Sequence, residues 1–318
     1  MQDPPRPEAA EAVAACHEAG IDVKMITGDH PGTALAIASS VGLGAEPAVM
    51  TGAELDRLAG DRFDSEVART QVFARVSPGQ TLRLGQALQR RGEIVAMTGD
   101  GVNDAPALRR ADIGVAMGRT GTDAARQTAD MVLTDDDFAS IAAAVREGRG
   151  VFDNLRKFIA WTLPANMGEG VDVLTAVLLG VALPIVPVQI LWINMTTAVF
   201  LGLTLAFEPQ EPNLMRRPPL PPRQPLFTAA LLRWVVLLSI PLVAAAFWAY
   251  RGELAAGAAI AEARTSAMNV FVGVQIAYLI SCRSLNRLVV LAWPRQAEYR
   301  PSASEPRRCS SWCSPTCR

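Results

Sequence analysis

The sequence predicts a parallel α/β domain followed by a helical membrane bundle. Three observations carry this expectation. Over residues 1–150, short apolar runs alternate with amphipathic stretches, the pattern of a doubly wound parallel sheet. Two Thr-Gly-Asp sequences, Thr27–Asp29 and Thr98–Asp100, each follow one of those runs directly. From about residue 157 to 282 the chain turns to long apolar segments with few charges, each of a length that crosses a bilayer.

In order along the first 150 residues, Glu8 to Ala19 predicts a helix, with Gly20 suited to its C-terminal cap. Ile21 to Ile26 predicts a strand that runs into Thr27-Gly28-Asp29, and Pro31 to Val41 the next helix. Val72 to Val76 is a strand and Pro78 to Arg91 a helix opened by proline near its first turn. Ile94 to Met97 is a strand that leads into Thr98-Gly99-Asp100-Gly101-Val102-Asn103-Asp104. After a short helix come strand Ile113 to Met117, helix Gly121 to Ala129 and strand Met131 to Leu133.

The 318 residues carry 30 basic and 31 acidic side chains, a balance that points away from nucleic acid as a partner. Met1 to Glu11 is polar and rich in proline, unlike a signal peptide. Five cysteines give no disulfide framework. Cys309, Cys313 and Cys317 are evenly spaced, yet they sit in a Ser-, Arg- and Pro-rich stretch without nearby histidine. Residues 284–318 therefore read as a disordered or aberrant tail rather than a metal site.

In parallel sheets, ligands bind beyond the carboxyl ends of the strands, where both Thr-Gly-Asp sequences fall. Asp100 and Asp104 place two carboxylates four residues apart in a glycine-rich turn. Hard oxygen ligands on such a turn suit Mg²⁺, which binds one or two carboxylates together with phosphate oxygens. Asn103, Thr27 and the amides beside Thr27 are donors for phosphoryl oxygens. Gly28, Gly99 and Gly101 let an anion approach the backbone closely.

Four apolar segments are expected to span a membrane, at about 158–183, 186–207, 229–250 and 265–281, within a region 151–283. Arg216, Arg217 and Arg223 after the second, and Arg283 and Arg287 after the fourth, put those loops and the soluble domain on the cytoplasmic side of the plasma membrane. Polar groups inside such segments are costly and informative. Asn166, Glu169 and Asp172 recur every three residues as a polar stripe on the first; Asn194, Thr196 and Thr197 lie on the second, Asn269 and Gln275 on the fourth. Asn166, Glu169 and Asn194 together suit a hard cation, whereas Asn269 alone suits a hydrogen bond between helices.

Met97 to Gly118, MTGDGVNDAPALRRADIGVAMG, resembles the hinge motif of the P-type ATPases, a branch of the haloacid dehalogenase-like phosphotransferases. DPPR (Asp3 to Arg6), MITGDH (Met25 to His30), FARVSP (Phe73 to Pro78), GTDAARQTADMVLTDDDFASI (Gly121 to Ile141), ILWIN (Ile190 to Asn194) and FEP (Phe207 to Pro209) match the same family in order and spacing. The resemblance implies a partial haloacid dehalogenase-like domain joined to a transmembrane bundle, with ATP as substrate and Mg²⁺ as cofactor. It implies Asp100 as the Mg²⁺ ligand, with Asn103 and Asp104 completing the phosphate site and Asp104 a further Mg²⁺ ligand. Thr27, Gly28 and Asp29 correspond to the loop that contacts the phosphoryl group and positions water. Asp3 to Arg6 corresponds to the hinge out of the nucleotide-binding domain. In the membrane, Asn166, Glu169, Asn194, Thr197 and Gln275 correspond to ion-binding positions.

The sequence departs from the family at several places. No Asp-Lys-Thr-Gly-Thr, the phosphorylated motif of the family, occurs in these 318 residues. Isolated, they are expected to be inactive, with a separately encoded N-terminal half of the pump as an expected partner beside lipid and the transported cation. A non-catalytic membrane subunit or regulatory remnant is the alternative. Thr81 stands where the family has a phosphate-neutralising lysine, and Gly79 where an acid is common; Arg83 is expected to face elsewhere, and Arg75 is the candidate substitute. Ala198 and Val199 stand where calcium and sodium pumps have Asp and Gly, which leaves the cargo open. From Trp293 onward no further apolar run follows, a change of the kind a frameshift produces.

Overall fold

The computed structural model describes residues 7–211, 213–221, 227–282 and 309–313. Asp3 to Arg6, Arg223, Arg283, Arg287, Trp293 and Cys317 lie outside the described residues. The chain divides into two units, Met1–Gly148 with Glu211–Gln224 and Ser302–Arg318, and Arg149–Gln210 with Pro225–Pro301.

The first unit is the α/β domain. Its elements are α1 (Pro7–Glu18), β1 (Ile21–Thr27), α2 (Pro31–Ser40), β2 (Val49–Thr51), α3 (Gly52–Leu55), α4 (Gly60–Arg69), β3 (Val72–Ala74), α5 (Pro78–Arg90), β4 (Val95–Gly99), α6 (Ala105–Arg110), β5 (Ile113–Met117), α7 (Asp123–Thr128) and β6 (Met131–Leu133). Gly20 takes φ +73 and turns α1 into β1, a conformation that costs glycine little. Ser77 caps α5, accepting from the Gln80 amide while the Gln80 side chain accepts from the Ser77 amide.

The sheet runs β2-β3-β1-β7-β4-β5-β6, where β7 is Cys309–Cys313. Every pairing is parallel. One face buries Val13, Cys16, Val23 and Met25 against α1 and α2. Another core gathers Phe63, Phe73, Leu84, Leu88, Met97 and Leu108 from α4, α5, α6 and the strands between.

β7 lies within 284–318, the stretch expected from sequence to be a disordered or aberrant tail. β1 and β4 pair with β7 and not with each other. Without a strand there, the facing edges of β1 and β4 would present two rows of unpaired amides and carbonyls, a template for an extended segment. Cys309–Cys313 pairs over five residues with β1 and three with β4.

In the second unit, α8 (Phe138–Leu179) continues for 42 residues and crosses the boundary between units. α9 (Pro187–Thr196), a π-helical turn at Thr197–Leu201, and α10 (Gly202–Ala206) follow as one rod. α11 (Ala229–Ala255) and α12 (Ile260–Cys282) complete the bundle. Among the described residues, three stretches are long and apolar enough to cross a membrane: Pro187–Ala206, Leu231–Ala255 and Ile260–Cys282, with mean hydropathies of 1.6, 2.0 and 1.4. The expected fourth, at about 158–183, does not reach that level, because Asn166, Glu169 and Asp172 dilute its apolar character. Large side chains such as Leu178, Val188, Phe200 and Trp248 are exposed, an apolar outer surface that suits lipid.

Among the described residues, Pro164 lies inside α8 and Pro241 inside α11. Proline has no amide hydrogen, so Pro164 leaves the Ala160 carbonyl without its helical donor. The Tyr278 hydroxyl of α12 donates to that carbonyl at 3.2 Å. Nearby, Trp161 Nε1 donates to the Gln275 carbonyl at 3.0 Å and Ser239 Oγ to the Pro164 carbonyl at 3.0 Å. α8 is thus tied to α11 and α12 where its own ladder is weakest.

Candidate functional site

Two clusters of polar side chains stand apart from the cores. In the α/β unit, Thr27 ends β1 and Asp100 follows β4. Met25 pairs with Cys313 and Met97 with Trp312 of the strand between. Thr27 and Asp100 therefore reach the same level at the carboxyl edge. With one strand between them, their backbones are roughly 10 Å apart.

The Thr27 hydroxyl oxygen accepts from the Asp29 amide at 2.9 Å. Its own proton stays available to a ligand. Thr27 is buried, while Gly28 and Asp29 are exposed. A Cβ on Gly28 would meet nothing within 4 Å, so the turn opens to solvent.

Across the crevice, Asp104 folds back over the end of β4. Its Oδ2 accepts from the amides of Asp100 at 3.3 Å and Gly101 at 3.0 Å. Only glycine fits at 99, since a Cβ there would lie 2.6 Å from Asp104 Cβ. The Asp100 carbonyl accepts from the Thr122 amide at 2.8 Å. Asp104 thus shapes the turn with one carboxylate oxygen, and Asp100 and the exposed Asn103 complete its rim. Among the described residues no cluster of three or more His, Cys, Asp or Glu could hold a metal. A cation here would rest on one or two carboxylates with phosphate and water oxygens, a donor set that fits Mg²⁺.

Neither Thr81 nor Arg83 supplies a positive charge to this edge. Thr81 is buried and donates to the Ser77 carbonyl at 3.3 Å. Arg83 pairs with Asp56 at 3.2 Å and lies over the Phe63 ring, as its expected direction required. Arg75 follows Ala74, the partner of Thr27, with φ 54 and an exposed side chain.

In the helical unit, Asn194 Nδ2 of α9 donates to Glu169 Oε2 of α8 at 2.7 Å. Glu169, Thr197 and Gln275 are 3%, 6% and 3% exposed. Thr197 donates to the Ile193 carbonyl at 2.8 Å and so presents its oxygen only as an acceptor. Asn166 is exposed, so the structure separates it from the polar residues it was expected to join.

The sequence of the chain matches known proteins along most of its length. Residues 1–112 and 80–145 match two family models, each described as haloacid dehalogenase-like hydrolase. Residues 182–298 match the model of the cation transporting ATPase C-terminus. The chain is 65% identical over 292 residues to the cation-transporting ATPase F of Mycobacterium tuberculosis, which covers 90% of this chain and 32% of that one. It is 49% identical over 289 residues to a cation-transporting ATPase of Synechocystis, with 90% and 32% covered. Against a calcium-transporting ATPase of Bacillus subtilis it is 43% identical over 288 residues, with 89% and 32% covered. This chain belongs to the P-type cation-transporting ATPases. It spans about a third of the length of the curated relatives it matches, 32% in each of these three.

One residue that the sequence did not single out is Asp136, within Gly121 to Ile141. It takes φ 56. Its carboxylate accepts from the amides of Gly118, Arg119 and Thr120 at 2.7, 2.9 and 2.7 Å, and from the Thr120 hydroxyl at 2.9 Å. Burial pushes its carboxyl pKa upward, but those donors outweigh burial and hold it below 3.8. A run of three aspartates, Asp135 to Asp137, is the one signal that marked it. A carboxylate whose folded value lies below its unfolded value stabilises the fold above the unfolded value, near pH 4, and loses that contribution as pH falls through the folded value. Asp136→Asn tolerates the left-handed backbone but gives up charge-assisted bonds worth about 2–3 kcal/mol. Chemical denaturation should show that deficit at pH 7 and a smaller one below pH 4; an equal deficit at both would refute the charge argument.

Proposed function

We propose that the chain forms part of an ATP-driven cation pump: the second half of its phosphoryl site and a set of its ion-binding helices. The observation that carries this reading is the pair of turns at one sheet edge, Thr27–Asp29 and Asp100–Asp104, level with each other across a one-strand gap. Thr27 and the amides of Gly28 and Asp29 donate to phosphoryl oxygens on one side. Asn103 donates from the other, and Asp29 orients the water that releases phosphate. Asp100 holds Mg²⁺, with Asp104 fixing the turn and supplying a further oxygen. When bound, Mg²⁺ neutralises charge on the transferred group. Phosphoryl transfer is mostly positioning and charge neutralisation, and these residues supply both. The nucleophilic aspartate comes from a segment outside these 318 residues, either on the same polypeptide or on a separately encoded N-terminal half.

In the membrane, Glu169, Asn194, Thr197 and Gln275 offer oxygen ligands to the transported cation. α8 acts as a fourth span, its polar side turned inward and Leu174, Val177 and Leu178 outward. The basic loops, with Arg216 and Arg217, keep the α/β unit cytoplasmic at the plasma membrane.

A second reading, a non-catalytic membrane subunit or remnant, is favoured by β7. The tail fills the slot between β1 and β4 with Cys309–Cys313, a stretch without a carboxylate. One experiment separates the two. In a chimera, this chain replaces the corresponding third of the Mycobacterium tuberculosis relative, and labelled ATP is added. The pump reading expects an acid-stable phosphoenzyme from the chimera and none from the 318 residues alone. A folded chimera that forms none supports the second reading, and a phosphoenzyme on the isolated chain contradicts the pump assignment of roles.

A further inference from the structure

We propose that Asp172 is a ligand for the transported cation, and that with Glu169 it forms a two-carboxylate site for a hard divalent ion. The inference rests on the pump reading of Glu169 and adds a residue that reading does not use.

Asp172 lies one turn beyond Glu169 on α8, at the i,i+3 spacing that brings side chains together. It is fully buried, at 0% exposure. Neither of its carboxylate oxygens has a hydrogen-bond partner. Glu169 Oε1 and Gln275 Oε1 are orphaned in the same way. Gly168, beside Glu169, faces Leu242 of α11 and Phe271 of α12, 2.8 and 3.5 Å from where its Cβ would stand. Gln275 follows Phe271 by one turn on the buried side of α12. Three residues of two packed helices thus turn four unpartnered oxygens inward.

All four oxygens are acceptors when the carboxyls are ionised. Among the described residues no donor reaches any of the four. Asn194 already donates to Glu169 Oε2 at 2.7 Å. The Arg264 guanidinium of α12 donates to the Leu183 carbonyl at 3.1 Å. Lys157 lies twelve residues before Glu169 on the same helix, about 18 Å along its axis. Leu242 and Phe271, beside Gly168, belong to a buried cluster that also holds Ile193 and Ala267. Buried carboxylates without a partner are strongly unfavourable, and in an apolar membrane segment they mark an ion path. A single cation serves several acceptors at once, and a proton serves one. Two carboxylates balance two positive charges, while Asn194, Thr197 and Gln275 add neutral oxygens of the kind hard cations take.

The test is equilibrium binding of Ca²⁺, with Mn²⁺ in parallel, to the full chain in lipid nanodiscs. The unsubstituted chain is expected to bind Ca²⁺. Asp172→Asn, nearly the same in volume, should weaken binding at least tenfold, and Glu169→Gln likewise. Asn269→Ala, at an exposed position on α12, should leave it unchanged. Unaltered binding in Asp172→Asn, with loss in Glu169→Gln, overturns this proposal and leaves the pump reading intact. No binding to the unsubstituted chain overturns this proposal and the assigned role of Glu169 together. Should Asp172→Asn lose its helical content, Asp172→Glu decides: a changed preference between Ca²⁺ and Mn²⁺ supports the ligand role, and an unchanged one overturns it.

Discussion

Replacing Asp100 by asparagine is expected to lower phosphoenzyme formation in the chimeric pump by about 10²–10³-fold while leaving its melting temperature unchanged. The Asp100 carbonyl is fixed by the Thr122 amide at 2.8 Å, and its amide by Asp104 Oδ2 at 3.3 Å. Both contacts are to backbone, so the substitution does not touch them. What changes is the negative charge that Asp100 brings to this rim. Asp104→Ala makes the contrast. It removes the acceptor for two amides, so it should cost stability, about 1–3 kcal/mol, as well as activity. Phosphorylation by labelled ATP and thermal unfolding, measured on both variants, separate the two roles. If Asp100→Asn keeps its activity, the cation is held elsewhere. If it melts early, Asp100 is a structural residue.

How much of this was legible depended on how local each determinant is. β5 and β6 begin and end where the sequence placed them, at Ile113–Met117 and Met131–Leu133. Their apolar runs are short, β5 lying between Asp112 and Gly118 and β6 between Asp130 and Thr134. The turns at Thr27 and Asp100 were readable for the same reason: a strand that ends in Thr-Gly-Asp must place those residues at the sheet edge. By contrast, β2, α3 and α4 went unread. α4 buries only Phe63 and Val67, too few apolar positions to set a period. β7 was unreadable, because Cys-Ser-Ser-Trp-Cys has no strand pattern of its own and pairs across almost the whole chain with β1. Its determinant is the empty slot, not the segment.

The membrane site shows the same limit at finer grain. A spacing of three looks like a stripe, but each such step falls about 60° short of a full turn. From Asn166 to Asp172 the side chains rotate through about 120°. The buried sector of α8 takes in Glu169 and Asp172 and leaves Asn166 outside. Residue type identified the polar positions, and only the packing of α8 on its neighbours chose among them. Asp172 shows the converse: counted in the stripe, it drew no role until its burial and its unpartnered oxygens were seen together.

Among substitutions that touch no ligand, Gly121→Ala should be the most damaging. A Cβ at Gly121 would overlap the carbonyl oxygen of Met117. That obstacle is backbone, and it cannot swing aside as a flexible side chain would. Met117 ends β5 and pairs with Leu133 of β6, so moving it means opening the edge of the sheet. Overpacking of this kind costs about 3 kcal/mol, equal to a fall of roughly 6–12 °C in melting temperature for a unit of this size. Gly85→Ala is the control. Gly85 sits inside α5 with nothing within 4 Å of the new Cβ, so alanine should stabilise that helix by about 1 kcal/mol. Thermal unfolding gives both numbers, and hydrogen exchange at the β5 and β6 amides locates the damage. Equal melting of the two variants would show that the turn after β5 yields easily. The consequence reaches the site through Thr122, next to Gly121, whose amide holds the Asp100 carbonyl. A displaced Gly121 therefore shifts the rim that carries Asp100, and phosphoenzyme formation in Gly121→Ala should fall further than its loss of folded protein accounts for.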